Sequence, residues 1–204
     1  TLKIDNLAKS YGPNTVFSGI SFDYSGRSLA IAGPNGSGKS TFLKCVGNLL
    51  RQSRGTIAWL DNNQQLDRAQ LRRQMGYAAP YINLYDELTC RENLQFLAQI
   101  RHDRKAIKNI DQLIAKVGLA HVSDQPYGKL STGQQQRLRL ASALFHHPDI
   151  LLLDEPGSNL DEAGRSLIEE IAESFKSREK LLIIASNNRE ELALCEQVFS
   201  IEQE

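Results

Sequence analysis

The chain has 204 residues with 24 basic and 24 acidic side chains, so its formal net charge is zero. That length suits one large domain, or a core with a smaller inserted lobe, and is ample for a buried core. The balanced charge lacks the basic excess of a nucleic-acid-binding surface, so no nucleic acid partner is expected, and no apolar stretch approaches the ~18 residues of a membrane span.

In chain order, Leu2–Leu7 alternates polar and apolar residues, which is a strand pattern and not the apolar core of a signal peptide. Apolar-rich runs at Ile20–Tyr24 and Gly55–Leu60, set between turn signals at Gly12-Pro13-Asn14, Ser25-Gly26 and Asp61-Asn62, make residues 1–60 strand-rich. Ser28–Ala32 reads as a buried strand. It runs into Gly33-Pro34-Asn35-Gly36-Ser37-Gly38-Lys39-Ser40-Thr41, a complete Gly-x-x-x-x-Gly-Lys-Ser pattern. Apolar residues at Phe42, Leu43, Val46, Leu49 and Leu50 then predict a helix over 41–50. Strand, glycine-rich turn and helix in this order curl the backbone so that successive N–H groups point at phosphate oxygens. The partial positive charge of the helix start adds to that attraction. Lys39 is positioned to reach the β- and γ-phosphates of a nucleotide, and the Ser40 hydroxyl to ligate Mg2+.

From residue 89 the pattern turns helical. Thr89-x-x-Glu92 is a capping box; Asp103 can cap a second helix that Gly118 stops. Ser131-x-x-Gln134 is another box and opens a helix to about His146. The stretch from about 80 to 142 shows no clear strand and reads as an inserted helical lobe. Pro148 breaks the chain before Ile150–Leu153, four aliphatic residues that end in Asp154 and Glu155. A strand buried on both faces of a parallel sheet needs such a run. Ligands of parallel sheets bind at the carboxyl ends of the strands. Asp154 is therefore placed to hold Mg2+, and Glu155 to polarise an attacking water. Asp161 can cap a helix to about Ser177, and strands follow at Leu181–Ala185 and Val198–Ile201. Cys45, Cys90 and Cys195 are widely spaced and odd in number, which reads as reduced thiols of a cytosolic protein.

With these motifs in this order, the chain resembles the ATP-binding cassette (ABC) ATPase family over essentially its full length. Gly33–Thr41 is similar to its Walker A and Ile150–Glu155 to its Walker B. Leu130–Gln134 is similar to its signature Leu-Ser-Gly-Gly-Gln, with Thr132 for the first glycine, and Ser158–Asp161 matches its D-loop. Tyr11 fits the aromatic that stacks on adenine. The resemblance implies an α/β fold: a P-loop NTPase (RecA-like) core with a mainly parallel sheet, an N-terminal antiparallel β subdomain and an inserted helical lobe. The core would comprise about 1–79 and 143–204, and the helical subdomain about 80–142. It also implies a head-to-tail dimer with a second ABC ATPase chain, identical or not. Each ATP would lie between the Walker A of one copy and Ser131, Gly133 and Gln134 of the other. The dimer would drive a separate integral membrane permease subunit, docked near Tyr81–Glu87, from the cytoplasmic face of the membrane.

Two positions depart from the family pattern. Its glutamine after the strand around Met75-Gly76-Tyr77 falls on Pro80, which has neither a side-chain hydrogen bond nor an N–H to offer. Its switch histidine falls on Asn187, whose amide can donate a hydrogen bond but carries no charge. The expectation is ATP binding with hydrolysis that these two changes can slow. Two alternatives stand beside transport: an ABC ATPase with no membrane partner, and a hydrolysis-poor module that ATP merely closes.

Overall fold

A computed structural model describes residues 1–201. The elements run β1 (Leu2–Tyr11), β2 (Asn14–Tyr24), β3 (Ser28–Ala32), α1 (Lys39–Val46), β4 (Arg54–Asp61), β5 (Gln64–Gln65), α2 (Arg68–Gln74) and β6 (Met75–Ala78). There follow α3 (Cys90–Ile100), α4 (Arg104–Lys116), α5 (Thr132–Leu144), β7 (Ile150–Asp154), α6 (Glu162–Ser177), β8 (Leu181–Ser186), α7 (Arg189–Ala193) and β9 (Gln197–Ser200).

The sequence pattern of β7 explains the layering. Successive side chains of a strand point to opposite faces. Ile150 and Leu152 join an apolar cluster with Phe42, Leu43 and Val46 of α1 and with Leu2, Ile4 and Trp59 of the N-terminal strands. Leu151 and Leu153 join a second cluster with Leu138 and Ala141 of α5 and Leu167, Ile168 and Ile171 of α6. Both faces are covered, so the run of four aliphatic residues is needed.

Five strands form a parallel sheet in the order β6-β7-β8-β3-β9. The second sheet, β2-β1-β4-β5, is antiparallel and lies over α1, to which the Trp59 indole ties it by donating to Val46 O at 2.9 Å. The α/β fold with a parallel core sheet and an antiparallel N-terminal sheet is therefore as expected.

Between β6 and β7 the chain is helical. The Thr89, Asp103 and Ser131 caps all form, two of them as reciprocal boxes. Gly118, with φ of +73°, follows the end of α4. Among the described residues of this stretch, the only β-type pairing is an isolated bridge between Thr89 and Pro126. The helix opened by Ser131 ends at Leu144, and Gly76 of β6 lies so close under it that a Cβ there would stand 2.1 Å from Ala143 O.

Two helices, among other elements, depart from the sequence reading. The helix expected over 41–50 begins at Lys39 and ends at Val46, because Gly47 caps it and Asn48 turns into the left-handed region at φ +55°. Helix α2 was not anticipated, although Asp67-x-x-Gln70 closes a full capping box at its start.

Candidate functional site

In a parallel sheet all carboxyl ends lie on one rim. Ala32 pairs with Ser186, Asp154 with Ala185 and Ala78 with Leu153. The residues that follow these strands, namely Gly33, Asn187, Glu155 and the Pro80–Tyr81 turn, are therefore neighbours, although they come from four distant parts of the chain.

The glycines of the Gly33–Gly38 turn are required by its shape. Gly33, Gly36 and Gly38 have φ of +154°, +84° and +95°, a region that side chains disfavour. A Cβ on Gly33 would stand 2.4 Å from Ser37 Oγ, and one on Gly38 2.6 Å from Val16 of β2. Lys39 is buried and its ammonium crosses the loop, donating to Gly33 O at 2.9 Å and Pro34 O at 3.1 Å. The same ammonium lies 3.6 Å from Glu155 Oε1. Ser37 Oγ is buried without a hydrogen-bond partner. Thr41 sits on the first turn of α1, and Asn35 Oδ1 accepts from the Asn187 amide at 2.8 Å.

Asp154 is fully buried, and Ser40 Oγ donates to its Oδ1 at 2.9 Å. A hydroxyl beside a carboxylate is a set of hard oxygen donors, and Mg2+ is commonly held by one or two such groups together with substrate phosphates. The pair fits Mg2+.

Glu155 has φ of +45°, unusual for a non-glycine and common where a functional side chain must be aimed. Burial pushes its carboxyl up; Lys39 opposes this and the Asp154 charge reinforces it. A carboxyl raised in this way, beside a lysine and at the mouth of the Gly33–Gly38 loop, is suited to accept a proton.

The other expected residues belong to β1 and to the start of α5. Tyr11 ends β1 in the hairpin before β2; its ring is half exposed, with Lys9 Nζ 4.7 Å from the centroid. Ser131 caps α5: its Oγ accepts from Gln134 N, and Gln134 Oε1 accepts from Ser131 N. Ser131 and Thr132 are exposed. Gly133 abuts Asn159 O, and Arg137 forms an ion pair with Asp161, so the start of α5 and the Ser158–Asp161 turn are packed together in one chain.

The turn after β6 carries the position expected for the glutamine. Pro80 offers no donor, but the next residue does: Tyr81 Oη donates to Asp154 Oδ2 at 2.7 Å. The Tyr77 hydroxyl contacts that of Tyr81, and Lys44 Nζ lies 3.9 Å from the centre of the Tyr81 ring. A second residue missed from sequence is Glu191 on α7. It is buried, and its Oε1 accepts from Gly157 N at 3.1 Å, fastening the turn after Glu155. Neither had a sequence signal, since both contacts depend on which strands are neighbours.

Comparison with known proteins agrees with this geometry. A protein-family model described as ABC transporter matches residues 17–158. The chain is 34% identical over 187 residues to the lantibiotic transport ATP-binding protein SrtF of Streptococcus pyogenes, covering 91% of this chain and 80% of that protein. It is 32% identical over 209 residues to the lipopolysaccharide export system ATP-binding protein LptB of Haemophilus influenzae, covering 98% and 86%. Among solved structures it is similar to a dimeric post-hydrolysis state of the ATP-binding cassette MJ0796 bound to ADP and Pi. That match has a TM-score of 0.86 and 23% identity, and covers 99% of this chain and 94% of that one. CbiO1 from Clostridium perfringens, part of the ABC transporter complex cbiONQ, matches with a TM-score of 0.77 and 28% identity, covering 98% and 84%.

Proposed function

This chain belongs to the ABC transporter family, and we propose that its part there is to bind and hydrolyse ATP at the rim formed by Gly33–Thr41, Asp154, Glu155 and Asn187, so as to drive a separate membrane permease. The observation that carries the reading is the convergence of these groups, from β3, β7 and β8, on one sheet edge.

In this reading the Gly33–Gly38 amides and Lys39 hold the phosphates, and Lys39 exchanges its contacts with Gly33 O and Pro34 O for phosphate oxygens. Ser40 and Asp154 would hold Mg2+, which supplies Lewis-acid polarisation of phosphoryl oxygens when bound. Glu155 orients the attacking water and accepts its proton. Asn187, tied to Asn35 in the loop, donates a neutral hydrogen bond toward the γ-phosphate. Tyr11 offers its exposed face to the base.

The dimer is part of the proposal. Ser131 and Gly133 stand at a helix start whose backbone N–H groups and dipole suit an anion, and Ser131 is exposed. A second copy, or a related cassette, would supply this helix start to the γ-phosphate. The permease would dock in the groove of about 380 Å³ between α2, β6 and α3. Leu49, Tyr85 and Ile100, three of the exposed large apolar side chains, line that groove. Among the described residues no helix is long and apolar enough to cross a membrane; a place at the cytoplasmic face would come from docking on the permease.

The test is steady-state ATP turnover of the wild type and Glu155→Gln. Loss of the base should lower kcat by ~10²-fold or more with ATP still bound. Equal turnover in the two proteins would refute the assignment.

A further inference from the structure

We propose that Tyr81 is a positioning residue of the cation site: its hydroxyl holds Asp154 Oδ2 and must yield that oxygen when a divalent cation enters with the nucleotide. The inference rests on the reading of Ser40 and Asp154 as cation ligands.

Asp154 is fully buried at the end of β7, and each of its oxygens has its own hydroxyl donor, Ser40 on Oδ1 at 2.9 Å and Tyr81 on Oδ2 at 2.7 Å. An O–H to carboxylate bond is charge-assisted and stronger than a neutral one. It restrains a carboxylate that burial would otherwise leave half satisfied. A cation that shares Asp154 with Ser40 draws on the same lone pairs, so the tyrosine hydroxyl competes with it.

Tyr81 is built to hold this position. Its hydroxyl meets that of Tyr77 on β6, and its ring lies under the Lys44 ammonium of α1. Its chain neighbours are also tethered. Arg139 Nε of α5 donates to Ile82 O at 2.7 Å, and the Asn93 side chain of α3 accepts from Tyr85 N and donates to Tyr85 O. Tyr81 is therefore the point where this loop touches the cation site, and with Pro80 unable to donate, its hydroxyl is the donor that the loop brings to Asp154. Release of Oδ2 would free the first residue of a segment that is otherwise pinned to the helical lobe.

The experiment is equilibrium binding of ATP by the wild type and Tyr81→Phe, each with Mg2+ and with EDTA. The readout is the ratio of the two affinities, with the EDTA value as the reference for a folded nucleotide loop. The phenyl ring keeps its place under Lys44 and loses the competing hydroxyl. Tyr81→Phe should raise the Mg2+ enhancement ~3- to 10-fold, the worth of one net hydrogen bond. An enhancement equal to or smaller than that of the wild type would overturn the Tyr81 proposal alone. A wild type whose affinity ignores Mg2+ would overturn the cation-site reading, and this proposal with it. Loss of ATP binding by Tyr81→Phe in EDTA would overturn it as well, since the hydroxyl would then be supporting the phosphate loop.

Discussion

The Asn187 side-chain amide donates to Asn35 Oδ1 across 2.8 Å, so the turn after β8 is latched to the Gly33–Gly38 loop after β3. The two residues are far apart in sequence and meet because β8 and β3 are adjacent parallel strands in register from Ser28–Leu182 to Ala32–Ser186. In the proposed site, a neutral amide here would keep the geometry of a donor without a charge to offset that of the γ-phosphate.

Asn187→His should therefore raise kcat, by up to ~10²-fold if a full preorganised donor is restored, with little change in ATP affinity. Asn187→Ala should lower it. Steady-state kinetics of the three proteins checks both; a fall with histidine would mean that the switch position lies elsewhere.

Lys39→Ala removes the cation that bridges Gly33 O, Pro34 O and Glu155. ATP affinity and turnover should both drop, kcat/KM by at least ~10²-fold. Calorimetric titration with ATP, beside the turnover assay, tests this. Unchanged affinity would show that the loop is not the phosphate site.

Much of this site was legible because its parts are local. A strand, a glycine turn and a helix within residues 28–46 form the Gly33–Gly38 loop by themselves, and a buried run of four aliphatics in a parallel sheet carries Asp154 and Glu155 to the rim where that loop lies. The capping boxes at Thr89 and Ser131 are local too, and both formed. Tyr81 against Asp154 was not legible: the residues meet because β6 lies beside β7, a pairing that no spacing encodes. The early end of α1 has a local cause in Gly47 and Asn48, which the apolar periodicity through Leu49 and Leu50 masks.

Acid should destabilise the fold through His146. Its Nε2 lies 3.1 Å from Met75 O, and its Nδ1 is buried without a partner. Burial, reinforced by Arg101 and opposed by Asp103, pushes the imidazole down to about 4 from its ordinary 6.5. The unfolded chain thus binds a proton between those values that the folded chain refuses, and stability falls as pH drops from about 6.5 toward 4, by up to ~1.4 kcal/mol per pH unit. Urea unfolding at pH 7, 6 and 5 should show this slope in the wild type and a shallower one in His146→Leu, whatever the leucine does to stability at pH 7. Parallel slopes would contradict it.

Gly76→Ala should be strongly destabilising, because the new Cβ would stand 2.1 Å from Ala143 O and backbone cannot step aside cheaply. A loss of ~1–3 kcal/mol or more is expected in urea unfolding. A change under ~0.5 kcal/mol, the usual range of surface substitutions, would mean that α5 does not lie so close on β6.

The claim on which the transport reading rests is that one copy's phosphate loop and another's Ser131 helix start close on the same ATP. The direct measurement is the solution mass of Glu155→Gln, by analytical ultracentrifugation with saturating Mg2+ and ATP, alone and combined with Ser131→Arg. The account predicts a dimer for the single variant and a monomer for the double variant, with ATP still bound by both. A monomer in the first case, or a dimer indifferent to the arginine, would contradict it.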